Sequence, residues 1–127
     1  MKEKLLKYQL KLNELLEKEH YTFDDKLRKK LPANSGIYRI FYKNAVDSET
    51  LYLGISKNIK NRVASNHFKG NIGSSTLRKK LSKSYTPDET TKFFSEKCYV
   101  QIIEINIDEL HCYEHFFVSM LCPELND

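Results

Sequence analysis

From Lys2 to Glu19 the residues Leu5, Tyr8, Leu12 and Leu15 recur at helical spacing, with Leu6, Leu10 and Leu16 beside them and charged residues opposite. Apolar positions three and four apart share one face of a helix, so this stretch predicts an amphipathic helix. Its apolar face would pack on the rest of the chain or on a second copy. A polar face mixing Glu with Lys argues against a membrane surface. Tyr21 to Ser35 is polar, holds Pro32 and ends in Asn34-Ser35-Gly36, which reads as a connection with a short helix near Asp24–Lys30. The rhythm then changes. Gly36–Lys43 and Thr50–Ser56 are rich in Ile, Tyr, Phe and Leu and are separated by the polar loop Asn44–Glu49, the pattern of an antiparallel hairpin. Side chains alternate along a strand, so Tyr38, Ile40 and Tyr42 share one side, as do Tyr52 and Gly54 on the partner. A register that sets Tyr38 directly opposite Tyr52 makes their phenols converge.

Ile59, Val63 and either Asn66 or His67 mark a helix over Lys57–Phe68, with Arg62 on its flank. Gly70 and Gly73 lie in a loop, and Ser74-Ser75 supplies an N-cap for a basic helix at Thr76–Lys83. Ser84–Thr91 holds Pro87 and reads as a turn region. Lys97–Ile105, with its β-branched and aromatic residues, predicts a third, buried strand. Asp108 is positioned to cap a last helix, Glu109–Leu121, which Pro123 ends. The expectation is an α+β fold: a small three-stranded antiparallel sheet flanked by helices, with an added N-terminal amphipathic helix. Residues 1–127 form one domain, made of a helical extension (1–33) and a core (34–127).

Composition narrows the function classes. The chain has 127 residues, 40% of them hydrophobic, which suits one soluble core. No apolar run approaches the roughly 20 residues that cross a bilayer, and no basic tip followed by an apolar block marks export. Cys98, Cys112 and Cys122 are odd in number and form no C-x-x-C pair, so reduced thiols in a cytoplasm are expected, each acting as a small hydrophobe among apolar neighbours. The net charge of +4 says less than its distribution. Thr50–Pro87 contains no Asp or Glu but holds Lys57, Lys60, Arg62, Lys69, Arg78, Lys79, Lys80 and Lys83, whereas Val100–Asp127 is acidic and has no Lys or Arg. A basic middle segment suits nucleic-acid phosphates.

Gly36-Ile37-Tyr38 in one strand and Tyr52-Leu53-Gly54 in the next resemble the paired signature of the GIY-YIG nucleases, with Leu in place of the middle Ile. The order that follows strengthens the likeness. Ser56-Lys57-Asn58-Ile59-Lys60-Asn61-Arg62 is similar to the family's turn into a helix bearing its arginine. Glu114 lies in a C-terminal helix, and Pro123-Glu124-Leu125-Asn126 is similar to the segment supplying the family's asparagine.

The resemblance implies hydrolysis of DNA phosphodiester bonds with one divalent ion, Mg²⁺ or Mn²⁺. Tyr38 would be the general base, alone or with Tyr52; a free phenol titrates near 10, so nearby positive charge from Arg62 and the ion would have to stabilise the phenolate. Arg62 would grip the scissile phosphate with its planar charged fork. Glu114 would hold the metal, a hard ion that takes carboxylate oxygens. Asn126 would orient a catalytic group or the backbone near Tyr38; as the penultimate residue it is equally placed to be a frayed tail. Lys57, Lys60, Arg62, His67, Lys69, Ser75, Arg78 and Lys79 are the candidate DNA contacts.

Two departures matter. Ile55 stands where some family members carry a lysine, and Asn66 stands where others place a His or Tyr one helical turn beyond the arginine. His67, one residue later, is open to two readings: a helper to the base, or an exposed helix-end residue facing solvent or phosphate. His111 has the spacing to share a metal with Glu114, or it faces solvent, while His115 points elsewhere. The rival to an endonuclease is an idle binding module that keeps the fold. A nuclease part of a larger restriction, repair or mobile-element machine, or a homodimer through the N-terminal helix, is also open.

Overall fold

The computed structural model describes residues 1–44 and 49–126. Most of the predicted 44–49 loop therefore lies outside the described residues. The core is a four-stranded antiparallel sheet in the order β1-β4-β2-β3, formed by β1 (Tyr21–Thr22), β2 (Gly36–Tyr42), β3 (Thr50–Ser56) and β4 (Cys98–Glu104). The sheet has four strands where three were expected. The added strand, β1, pairs Tyr21 with Val100 and Thr22 with Tyr99, and two residues are too few to show an alternation in sequence.

Alternation along β2 gives the sheet two cores. Tyr38 and Ile40 face one layer, where α2 (Leu27–Lys30), a π-helix (Asn61–Phe68), α3 (Thr76–Leu81) and α4 (Pro87–Lys97) contribute Leu27, Val63, Leu77 and Phe94. Ile37 faces the other, where α1 (Lys2–Glu17) and α5 (Leu110–Leu121) contribute Leu15, Tyr113 and Phe117. Fully burying such a side chain stabilises the fold by about 1.5–3 kcal/mol. The helical stripe of α1 docks through Leu12 and Leu15, and Tyr8 sets its ring edge-on against Tyr113 at 4.9 Å. Leu5, Leu6 and Leu10 stay exposed.

Other expectations are corrected. Ser84–Thr91 is not simply a turn, because α4 begins at Pro87. Thr86 accepts from the Glu89 amide while the Glu89 carboxylate accepts from the Thr86 amide, and Pro87 occupies the first turn, where its missing N–H needs no partner. Asn106, not Asp108, provides the cap ahead of α5: its side chain accepts from the Asp108 amide and closes a short 3₁₀ turn at Ile107–Glu109. Of the three cysteines only Cys98 is buried, its thiol pushed up to about 12 by desolvation, while Cys112 and Cys122 are exposed. No helix among the described residues is long and apolar enough to cross a membrane. After α5, Cys122 turns the chain at φ 45°, and the tail returns along β3, with the Glu124 and Leu125 amides donating to the carbonyls of Thr50 and Leu51.

Candidate active site

The hairpin register differs from the one predicted. Tyr38 pairs with Gly54 and Ile40 with Tyr52, so the two tyrosines are diagonal neighbours on one face, with ring centroids 6.2 Å apart. Gly54 explains why. The Tyr38 ring crosses the strand at the residue without a side chain; a Cβ on Gly54 would sit 2.3 Å from the Tyr38 hydroxyl. Beyond this pair, Phe41 aligns with Thr50, leaving Leu51 as the extra residue of a bulge.

The segment carrying Arg62 is wound as a π-helix rather than the predicted α-helix, and the Lys69 amide donates to the Ala64 carbonyl five residues back. Such windings concentrate at functional sites. Here the wider turn has a specific effect. Asn66 stands four residues after Arg62 and lines an outer cleft with it, while His67, five residues after, turns inward and is 1% exposed. The Nε2 atom of His67 shares a 2.6 Å hydrogen bond with the Tyr38 hydroxyl, and Nδ1 shares another of 2.6 Å with the Ser75 hydroxyl. Its ring also lies edge-on to Tyr52 at 5.7 Å. His67 is thus a buried partner of the tyrosines, not an exposed helix end.

Ser75 and Arg78 belong to the same buried group. Ser75 caps α3 by accepting from the Arg78 amide, and the Arg78 guanidinium donates to the His67, Phe68 and Pro87 carbonyls and to Thr91. Arg78 closes the end of the π-helix, as a cation does well at the negative end of a helix. This corrects the expected DNA contacts: His67, Ser75 and Arg78 are all buried and hydrogen-bonded internally. Lys57 and Lys79 are exposed, Lys60 and Arg62 partly so, and Lys69 is exposed with its ammonium 2.9 Å from Asp25.

Burial dominates the electrostatics. Desolvation pushes the Tyr38 phenol well above its usual value, with Tyr52 and Glu114 adding to the rise, and Arg62 only opposes it. Arg62 by itself does not outweigh the burial of the phenol. Desolvation also lowers His67, helped by Arg62 and Arg78, to about 3, so the imidazole is neutral at ordinary pH.

Glu114, on α5, is half-buried and walls a cleft of about 360 Å³ with Tyr52, Lys80, His115 and Asn126. His115 lines this cleft rather than pointing elsewhere; His111 is largely exposed, its Nδ1 3.8 Å from the Glu114 carboxylate. Among the described residues no group of three His, Cys, Asp or Glu side chains is placed to hold a metal. One carboxylate on an open cleft suits Mg²⁺, which keeps several waters and takes one or two carboxylates, better than it suits Zn²⁺, which requires three or four protein ligands. Asn126 is no frayed tail: its amide donates to the Leu53 carbonyl at 2.7 Å and accepts from the Leu53 amide at 2.9 Å, clamping β3 between Tyr52 and Gly54. Lys80, which sequence reasoning left out of the site, lines the cleft and donates to the Leu125 carbonyl at 2.5 Å. Nothing in a run of basic helix residues singles it out.

A family model described as the GIY-YIG catalytic domain matches residues 34–111. The match takes in Tyr38, Tyr52 and Arg62 and ends before Glu114 and Asn126, whose case rests on their placement. Among solved structures, the chain is similar to the GIY-YIG N-terminal endonuclease domain of UvrC from Thermotoga maritima bound to magnesium. Identity is 21%, over 82% of this chain and 99% of that chain, with a TM-score of 0.46. A point mutant of that domain bound to its catalytic divalent cation gives 21% identity over 82% and 98% of the two chains, again at 0.46. No residue role is carried over from either. Among curated proteins none is similar enough to count as a relative.

Proposed function

The chain belongs to the GIY-YIG family, and on that premise we propose that it is a metal-dependent endonuclease that hydrolyses DNA phosphodiester bonds. One observation carries the reading: Tyr38 packs beside Tyr52, with ring centroids 6.2 Å apart, and Tyr52 lines the same cleft as Glu114 and Asn126.

Tyr38 acts as the base. Its phenolate takes a proton from the attacking water, and the resulting hydroxide forms a bond to phosphorus as the bond to the leaving oxygen breaks. Arg62, partly exposed and lining the outer cleft with Asn66 and His111, holds the non-bridging oxygens through its guanidinium fork. His67 orients the phenol from behind, and Tyr52 packs beside it. Asn126 keeps the β3 backbone in place under both rings. Glu114 would hold the divalent ion, Mg²⁺ or Mn²⁺, which when bound supplies positive charge for the phosphate and the departing oxygen. Lys57, Lys60, Lys69 and Lys79, all exposed or partly so, serve as phosphate contacts outside the cut. The chain works as a single unit in a reducing cytoplasm, alone, as a pair through α1 or within a larger DNA-processing machine.

The test is incubation of purified protein with duplex, single-stranded, branched and damaged DNA, with and without Mg²⁺ or Mn²⁺. Cutting should require the ion and fall by about a hundredfold or more in Tyr38→Phe and in Glu114→Ala. Parent-rate cutting by Glu114→Ala would end the metal assignment. Binding without cutting under every divalent ion would favour an idle binding module.

A further inference from the structure

On the sheet face turned away from Tyr38 lies a second cleft, of about 760 Å³, between β2, β4 and the C-terminal ends of α1 and α5. We infer that this cleft binds an unpaired stretch of DNA strand, its bases stacking on Tyr99 and His20 and its phosphates held by Lys18 and Lys43. The site stands without the nuclease reading; only the consequence that the substrate carries a single-stranded segment rests on that reading.

The floor is built before any ligand arrives. Strand alternation puts Arg39 and Phe41 on this face, paired with Gln101 and Tyr99 of β4. The Arg39 guanidinium donates to the Thr50 hydroxyl at 2.7 Å and to the Gln101 side-chain oxygen at 2.8 Å, and lies 4.4 Å over the Phe41 ring. The Gln101 amide in turn donates to the Leu16 and Lys18 carbonyls at 3.1 and 2.9 Å, which ties the end of α1 to the sheet.

Above that floor, rings and cations gather. Tyr99 is half-buried and meets the exposed His20 ring at 4.2 Å. The Lys43 ammonium lies 5.1 Å from the centre of the Tyr99 ring, and the exposed Lys18 ammonium forms no ion pair among the described residues. Against Lys18, Arg39 and Lys43, the described lining holds a single carboxylate, that of Glu49. Single strands are bound by this combination, because every base has a face to stack and cations track the backbone. A duplex hides those faces in its own stack, so only unpaired bases can use Tyr99 and His20.

The position relative to Glu114 favours a strand. Val118 and Ser119 line the Glu114 cleft, and the next two residues of α5, Met120 and Leu121, line this one. The two clefts flank the last turn of α5, so one strand rounding that turn reaches both. Leu16, Lys18 and His20 belong to the helical extension outside residues 34–111, so part of the site lies beyond the matched domain.

Fluorescence anisotropy of the full chain in EDTA reads binding without cutting. A labelled duplex with a single-stranded tail should bind about fivefold or more tighter than the blunt duplex. For a labelled single-stranded oligonucleotide, Tyr99→Leu should cost about tenfold in affinity, whereas Tyr99→Phe keeps a ring and should bind as the parent does. Lys18→Gln should reduce the salt dependence, a slope of log affinity on log salt, by about 0.7. A strand carrying iodouracil should crosslink under light to Tyr99 or His20, mapped by mass spectrometry. Equal affinity for tailed and blunt duplex, or crosslinks confined to the Tyr52 and Glu114 cleft, overturns the inference, and the crosslink map decides even where Tyr99→Leu fails to fold. AMP that competes as well as the strand, nucleotide for nucleotide, overturns the strand as the ligand. Crosslinks at Tyr99 or His20 in a chain that cuts under no divalent ion support the inference and sink the nuclease reading; ion-dependent cutting without those crosslinks does the opposite.

Discussion

Acid should weaken this fold through one side chain. His67 is 1% exposed, its two nitrogens meet neutral hydroxyls, and desolvation with the nearby charges of Arg62 and Arg78 lowers its pKa to about 3. In the unfolded chain the same imidazole titrates near 6.5. Between those values the unfolded state binds a proton that the folded state refuses, so stability is complete above about pH 6.5 and is lost as pH falls toward 3. One unit of pH in that window is worth about 1.4 kcal/mol. From pH 6.5 to 4.5 the loss is therefore about 3 kcal/mol, a large part of the roughly 5–15 kcal/mol that holds a typical domain together. The assay is urea unfolding of the wild type and of His67→Gln across pH 7.5 to 4.5. Carboxylate titrations are common to both and cancel in the difference. His67→Gln should be the less stable protein at pH 7.5, having lost a fitted ring, and the gap should narrow by about 3 kcal/mol at pH 4.5. A gap that stays constant with pH would refute the buried, neutral His67.

Gly54→Ala would drive a Cβ into the buried Tyr38 ring, so it should cost about 1–3 kcal/mol in urea unfolding and reduce DNA cutting more than Tm; an unchanged Tm would show that the ring moves freely. Asn126→Ala removes both bonds to Leu53, worth about 2 kcal/mol together, and should speed hydrogen exchange at the Leu53 amide; an amide still protected would mean that the clamp is not what covers it. Thr86→Ala breaks the capping box of α4 and should lower stability by about 1 kcal/mol without touching cleavage, a comparison that separates folding from chemistry.

Much of the fold is legible in the chain, and the gaps have physical causes. The amphipathic stripe of α1, the alternation of β2 and β3 and the apolar run of β4 follow from local periodicity, which each residue carries with it. Helix α4 was legible too, in Thr86-Pro87-Asp88-Glu89, but a proline between two apolar segments reads equally as a turn until its place at the start of a helix is known. The spacing of Ile59, Val63 and either Asn66 or His67 fits a π-helix as well as an α-helix, because winding is decided by hydrogen bonds that periodicity does not carry. Arg78 sits beside Lys79 and Lys80 in sequence and shares none of their exposure.

By itself the sequence determined which residue types occur, in what order and on which faces of their own elements: tyrosines on one side of a hairpin, an arginine on the next helix, a carboxylate on the last and an asparagine near the end. Only the tertiary structure decided which of these meet and in what dielectric. Gly54 rather than Tyr52 lies across from Tyr38, His67 rather than Asn66 reaches it, and burial rather than charge governs the phenol. Contact and desolvation depend on residues distant in the chain, and no local pattern encodes them.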